Sequence, residues 1–374
     1  MKQLFPLLLL LLIATSCYKK ADEQLFDTDI YIPSFTSNFR IQSIENSENV
    51  MISSLNPWQD AENVVSRLLI VRDSVIPHNL DIQILKGNAQ RIICMSSTHI
   101  AMIDALDKTE RIVGVSGFQY ISNPKIISRS DIIPDVGYEG NIDYEAIIKA
   151  KPDLILLFSI NGASAMEAKL KELGIPYIYI GDYLEENPLG KAEWIVAISE
   201  ILGIREKGIE KFNSIVHNYT HLKHLVDSVV LESPKVMVNA PFLDSWFMPS
   251  TKSYIATMIK DAGGEYIYRK NTGNASNPID LEEALKLVSE ADYWINIGTV
   301  NSIEELKVAC PAFLSAECVK QGRLYNNNHI SSPGGGNDCY ESGVVNPDLI
   351  LKDMIKIFHP QLIEENFTYY HKLK

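Results

Sequence analysis

An α/β architecture of two Rossmann-like lobes joined by one long rigid helix, with a β extension in front, is the fold this 374-residue chain predicts. Three observations carry it. From Arg91 onward short apolar runs alternate with helical patterns, the signature of a parallel sheet covered on both faces. Residues 205–229 then form one amphipathic run, with Ile209, Phe212, Val216, Tyr219, Leu222 and Val226 spaced by threes and fours. At ~1.5 Å per residue that run spans roughly 37 Å, enough to bridge two lobes. The strand–helix alternation resumes behind it, and a chain of this length outgrows one comfortable core.

The elements follow in order. Lys2, an apolar run over residues 4–13 and the small residues Ala14, Thr15 and Ser16 make residues 1–16 a secretory signal peptide. The apolar run is too short for a stable spanning helix. The junction of small residues with Cys17 resembles a bacterial lipoprotein lipobox, although Ala14 stands where a leucine is expected. That resemblance implies diacylation of Cys17, which would become the mature N-terminus and anchor the chain to a membrane. Residues 17–30, polar and acidic, read as a tether. Residues 31–90 read as an N-terminal β extension, in which β-rich runs near residues 39–41, 50–52 and 68–71 alternate with Asn, Ser and Pro turns.

Residues 91–204 form the first lobe: strands at 91–95, 111–115, 154–158 and 176–180, with helices capped at Ser96 and Asp143 and stopped at Gly174. The interlobe helix occupies 205–230. Residues 231–374 form the second lobe, with strands at 235–238, 293–297 and 323–325 and helices at 253–262, 281–288 and 345–358.

Composition narrows the function classes. Net charge is −13 and no Lys/Arg-rich run occurs, so the footprint of a nucleic-acid binder is missing. Cys94 sits in an apolar strand and reads as a buried thiol. Cys310, Cys318 and Cys339 fall within thirty residues, and a disulfide among them is permitted outside the cytoplasm, with the pairing open. No CxxC spacing supports a zinc site.

The run 91–106, the phrases IDYEAIIKAKPDLILL and SYIATMIKDAGGEYIY, and the tail NPDLILKDMIKIFHP together resemble the periplasmic-binding family for iron-siderophores, haem and cobalamin, over roughly residues 90–360. The resemblance implies two α/β lobes on a rigid helix, a ligand in the cleft between them, and delivery to an ABC permease dimer. In that family one exposed glutamate on each lobe docks onto a permease subunit. Glu145 and Glu282, each in the first turn of a helix opened by an aspartate, match those positions. Their ordinary reading is favourable placement at a helix N-terminus.

Loops after strand ends face the crevice of an open α/β sheet. In the first lobe they carry Ser97, Thr98, Gln119, Tyr120, Tyr138 and Asn161; in the second Phe242, Trp246, Phe247, Met248, Thr299, His329 and Asn337. Aromatic faces beside amides and hydroxyls suit a bulky, partly apolar metal-chelate: an iron-siderophore, haem or cobalamin. Arg129, Arg269 and Arg323 do not cluster, which argues against a strongly anionic chelate. His217, His221 and His224 read as a solvated face of the long helix rather than ligands of a bare ion. Two alternatives remain open. One is a surface lipoprotein that passes a chelate to an outer-membrane receptor. The other is an extracytoplasmic metal-dependent enzyme built on His329, Asp338 and Glu341. No nucleophile elbow or P-loop supports catalysis, and no intrinsic cofactor or directly coordinated metal is expected.

Overall fold

The structure is a computed structural model, and it describes residues 26, 28–43, 47–73, 82–229, 232–242 and 245–374. Cys17, the signal segment and the tether up to residue 25 lie outside the described residues. No described helix is long and apolar enough to cross a membrane.

The extension is a five-stranded sheet in the order β1 (Thr28–Tyr31), β2 (Phe39–Ser43), β3 (Val50–Leu55), β4 (Val65–Val71) and β5 (Gln83–Lys86). The first four strands pair antiparallel, and β5 runs parallel to β4. Residues 28–30 are therefore strand rather than tether, because Thr28, Asp29 and Tyr31 find backbone partners on β2. The first lobe's sheet has the order β11–β10–β6–β7, all parallel: β6 (Ile92–Cys94), β7 (Ile112–Val115), β10 (Leu154–Leu157) and β11 (Tyr177–Tyr179). Between β7 and β10 a small hairpin, β8 (Gly137–Tyr138) with β9 (Asn141–Ile142), precedes the second helix.

Helices α1 (Ser97–Ala105), α2 (Tyr144–Ala150), α3 (Met166–Leu173) and α4 (Pro188–Ile201) complete this lobe. Each start has a local cause. The Ser96 hydroxyl accepts from Thr98 N–H, Asp143 accepts from Ala146 N–H, and Asn187 accepts from Leu189 N–H ahead of Pro188. Apolar almost all round, α4 is buried on nearly every face and carries two buried carboxylates, Glu193 and Glu200. Glu193 accepts hydrogen bonds from the Tyr31 hydroxyl (2.8 Å) and from the backbone of Ser34 (2.7 Å), Phe35 (2.8 Å) and Thr36 (3.1 Å). Glu185, just before the helix, accepts from Thr36 Oγ1, Asn38 Nδ2 and Trp194 Nε1. Glu200 pairs with Arg72 at 2.6 Å and Arg205 at 2.9 Å. These contacts bind the extension to the first lobe.

The long helix α5 (Arg205–Val229) buries Gly208, Phe212, Ile215, Tyr219 and Val226 along one stripe. Its N-terminal half belongs to the first lobe. Lys207 donates to the Leu106 carbonyl, and Gly208 lies so near Ser199 of α4 that a Cβ there would sit 2.0 Å from its hydroxyl. Its C-terminal half belongs to the second lobe, where Tyr219 donates to Asp261 (2.8 Å), Lys223 pairs with the same carboxylate (2.6 Å) and Asn218 donates to Asp348. The exposed edge carries His217, His221 and His224.

The second lobe repeats the plan. Its sheet has the order β14–β12–β16–β17–β18, with β12 (Lys235–Val238), β14 (Glu265–Tyr266), β16 (Tyr293–Ile295) and β17 (Leu324–Asn326) parallel and β18 (His371–Lys372) antiparallel at the edge. A two-stranded ribbon joins β13 (Trp246–Met248) to β15 (Asn277–Ile279). Helices α6 (Tyr254–Asp261), α7 (Leu281–Glu290), α8 (Ile303–Ala309) and α9 (Pro347–Phe358) cover the sheet. The C-terminal segment is held by the buried Asp353 carboxylate, which accepts from the backbone N–H groups of Thr368, Tyr369 and Tyr370. Cys94, Cys310, Cys318 and Cys339 are all free buried thiols, so the structure contains no disulfide among the three C-terminal cysteines.

Candidate ligand-binding cleft

In the first lobe the chain enters at β6, moves to β7 on one side and returns to β10 on the other, so β6 and β10 flank a topological switch point. Crevices at the carboxyl ends of such strands are where open α/β sheets bind ligands. A cavity of about 260 Å³ lies there. Its floor is made by the residues that leave the strands: Met95, Ser96 and Ser97 after β6, Ser116 and Gly117 after β7, Leu157 and Phe158 at the end of β10. Tyr120, Ile121 and Tyr138 form its walls, with Glu139 and Met166. A second, more polar cavity of about 630 Å³ shares Gly117 and Tyr138 and runs along Gln119, Asp135 and the β8–β9 hairpin to Glu145. Asp135 shapes the partition by accepting from the N–H groups of Gly117, Phe118 and Gly137.

The opposite wall comes from the second lobe. The segment after β17 reaches across: Ser332 donates its hydroxyl to the Gln119 carbonyl at 2.7 Å, and Gly334 N–H donates to the same oxygen. The carboxyl ends of β7 and β17 therefore face each other. Both lobes expose aromatic side chains: Tyr120, Tyr138 and Phe158 in the first, Phe242, Phe247 and Tyr340 in the second.

Of the residues expected to line a cleft, Ser97, Tyr120 and Tyr138 meet in the smaller cavity, and Gln119, Tyr138 and Glu145 in the larger. Phe242, at 68% exposure, and Thr299 stand in open loops of the second lobe. His329 is exposed, its ring centroid 6.2 Å from that of His371. Asn161 is exposed but does not border either cavity.

Four expectations need correction. Trp246 and Met248 do not face a cleft; both are fully buried. Trp246 donates its indole N–H to the Val238 carbonyl and packs on Trp294 and Phe313. Strand alternation explains this: in β13 it is Phe247 between them that points out. Thr98 turns inward, its hydroxyl within hydrogen-bond reach of Ser96 and Asp182. Asn337 is spent within its own lobe, donating to Asn327 and accepting from Cys339 N–H. Met95, Phe158, Ile121 and Met166 were missed; only their position immediately after strand or cap signals could have singled them out.

The larger cavity carries the carboxylates of Asp135, Asp143 and Glu145, and the arginines are committed elsewhere. Arg129 donates to the carbonyls of Thr109 and Ile112, Arg269 pairs with Glu265, and Arg323 lies over the Tyr293 ring. Among the described residues no group of three or more His, Cys, Asp or Glu side chains could hold a metal ion. Beneath the smaller cavity Asp182 is fully buried, with Lys191 at 3.8 Å, and burial raises its carboxyl above the usual range despite that cation. His99 on α1 is buried with neither ring nitrogen well hydrogen-bonded, and burial pushes it down to about 3. Asp338 and Glu341 are taken up by contacts to Ser122 rather than aimed at His329.

Glu145 and Glu282 are exposed in the first turns of α2 and α7. Glu283, next to Glu282, is engaged with Lys270.

The same architecture occurs in known proteins. A haem-binding periplasmic protein from Pseudomonas aeruginosa superimposes with a TM-score of 0.61 at 14% identity, covering 76% of this chain and 98% of that one. A periplasmic haem-binding protein from Roseiflexus gives 0.58 at 19% identity, covering 74% and 100%. A periplasmic binding protein from Veillonella parvula gives 0.60 at 14% identity, covering 84% and 99%. At the sequence level, two lipoproteins of uncharacterised function from Methanocaldococcus jannaschii are 27% and 26% identical, over 75% and 84% of this chain and 67% and 82% of theirs. The family model described as periplasmic binding protein matches residues 92–326, more than half of the sequence. This chain belongs to the periplasmic binding protein family.

Proposed function

We propose that the protein is an extracytoplasmic solute-binding lipoprotein of an ABC importer, anchored through Cys17, which captures a metal-chelate in the interlobe cleft and presents it to a permease dimer. One observation carries this reading: the switch-point cavity is lined by Ser97, Tyr120, Tyr138 and Phe158, beside the place where Ser332 of the second lobe bonds to the Gln119 carbonyl of the first. At about 260 Å³ it falls just under the roughly 300–1,000 Å³ of a pocket that encloses a drug-sized ligand. A chelate would lodge one edge there and lay its remaining face against Phe242 and Phe247. Aromatic faces and hydroxyls, with the arginines committed elsewhere, favour haem, a corrinoid or a neutral ferric siderophore over a polyanionic one. The haem-binding proteins of the same fold support that class of ligand.

Glu145 and Glu282 would be the permease contacts, one per lobe, reading recognition and on-rate through charge complementarity. The test has two arms. Native mass spectrometry with haem, cobalamin and a panel of ferric siderophores should give a one-to-one complex with at least one of them. Glu145→Arg combined with Glu282→Arg should abolish uptake in cells while leaving that complex intact; uptake at the unaltered rate sinks the docking assignment.

A further inference from the structure

We propose that Ser122 of the first lobe and the carboxyl groups of Asp338 and Glu341 of the second form a proton-sharing clasp, which holds the lobes together in acid and releases them as pH rises. The clasp is built by chain segments more than 200 residues apart. Glu341 Oε2 accepts from Ser122 N–H (2.7 Å), its Oε1 accepts from Asn123 N–H (3.0 Å), and the Ser122 hydroxyl lies 2.7 Å from Glu341 Oε2 and 2.9 Å from Asp338 Oδ1.

The hydroxyl has one hydrogen, so it can donate to only one of these two carboxylates. With both ionised, the other carboxylate faces an oxygen lone pair at hydrogen-bond distance. A proton on Glu341 removes the conflict. Its O–H donates to Ser122 Oγ, the Ser122 hydrogen goes to Asp338 Oδ1, and the backbone donors keep their acceptors. Asp338 Oδ2 is supplied separately by the Ser342 hydroxyl (2.8 Å), which lies 2.8 Å from the Tyr369 hydroxyl.

Among the described residues no cation pairs with either carboxylate. On α1, Asp104 accepts from Asn123 Nδ2, and Lys125 is committed to that aspartate at 2.6 Å. Tyr369 comes from the C-terminal segment, while Lys191 of α4, Asp353 of α9 and Tyr254 of α6 act on Cys339 beside the clasp. Glu341 is 2% exposed, and burial, with the Asp338 charge adding to it, holds its carboxyl above the usual range against the pull of the Ser122 and Asn123 donors. A carboxyl whose affinity for protons rises on closing favours the closed form at low pH and loses that preference as pH climbs through its raised value.

The backbones meet too closely for this to be a loose contact. A Cβ at Gly334 would lie 2.6 Å from the Gln119 carbonyl oxygen, and one at Gly336 1.7 Å from that of Tyr120. Tyr120 and Ile121 also wall the smaller cavity, so the clasp sets one side of the ligand site.

The test uses the full chain without ligand, so it stands apart from the identity of the solute. Spin labels at Ser130→Cys and Ser315→Cys, both exposed, report the interlobe distance by pulsed electron resonance between pH 5 and pH 8. The expected result is a single short distance in acid and a longer, open population that grows up to about tenfold per pH unit while Glu341 gives up its proton. Glu341→Gln cannot titrate; its NH₂ group faces the Ser122 N–H and weakens the closed form, but its interlobe distance should not change between pH 5 and pH 8. Ser122→Ala, a milder change that removes the side-chain donor pulling Glu341 down, should move the opening to higher pH even if the glutamine variant folds poorly. A distance that ignores pH in the unaltered clasp, or a Glu341→Gln profile that still titrates, overturns the proposal.

Discussion

Replacing Glu193 by glutamine should loosen the N-terminal sheet from the first lobe. The carboxylate is fully buried and serves four donors, two per oxygen: Tyr31 and Ser34 on Oε1, Phe35 and Thr36 on Oε2. Glutamine preserves the shape but offers one acceptor oxygen, and its NH₂ group would face two donors. A buried donor left unsatisfied costs about 1–3 kcal/mol, and none of these donors is sealed, Tyr31, Phe35 and Thr36 being half-buried and Ser34 exposed, so the lower part of that range applies to each. The expected loss is about 2–4 kcal/mol, and Glu193→Ala, which strands all four donors, should lose more. Urea denaturation followed by circular dichroism gives the global change. Hydrogen–deuterium exchange should show the amides of residues 34–36 opening first. If the glutamine variant loses less than about 0.5 kcal/mol and those amides stay protected, the carboxylate is not what fastens the extension, and Arg72 with Glu200 must do so instead.

Trp246→Ala should cost about 3–5 kcal/mol, because it empties a site packed by Trp294 and Phe313, whereas Phe247→Ala should leave the denaturation midpoint unchanged and weaken chelate binding in titration. His99 is neutral when folded, with a value of about 3, and takes a proton near 6.5 when unfolded. Its contribution is therefore complete above pH 6.5 and declines as pH falls toward 3, reaching a loss of about 2 kcal/mol by pH 5. Denaturation at pH 8 and pH 5 should show His99→Leu losing that much less stability than the unaltered chain.

The two-lobe plan was legible because parallel strands buried on both faces leave near-continuous apolar runs, and because the spacing of Phe212, Tyr219 and Val226 puts them on one side of a single helix. Helix starts were legible from their caps, Ser96, Asp143 and Asp280, each of which accepts the bond its residue type predicts. The site was legible by strand ends only. Ser97, Tyr120 and Tyr138 border a cavity, but the orientation of each side chain depends on partners distant in sequence. Thr98 is turned by Asp182, 84 residues on, and Asn337 by Asn327. Trp246 and Met248 misled because three apolar residues in a row hide which of them face out until the pairing with Ile279 and Asn277 fixes the pleat. The edge strand β18 left no signal in two residues of pattern; it exists because Asp353 holds the preceding segment.

Hydrogen–deuterium exchange with and without a bound chelate tests the cleft most directly. Capture between the lobes predicts slowed exchange in two separate places, residues 95–98 and 116–121 of the first lobe and residues 245–249 and 297–300 of the second, with the amides of α5 unaltered. Slowing confined to one lobe or to the N-terminal sheet, or a change along α5 itself, would contradict it.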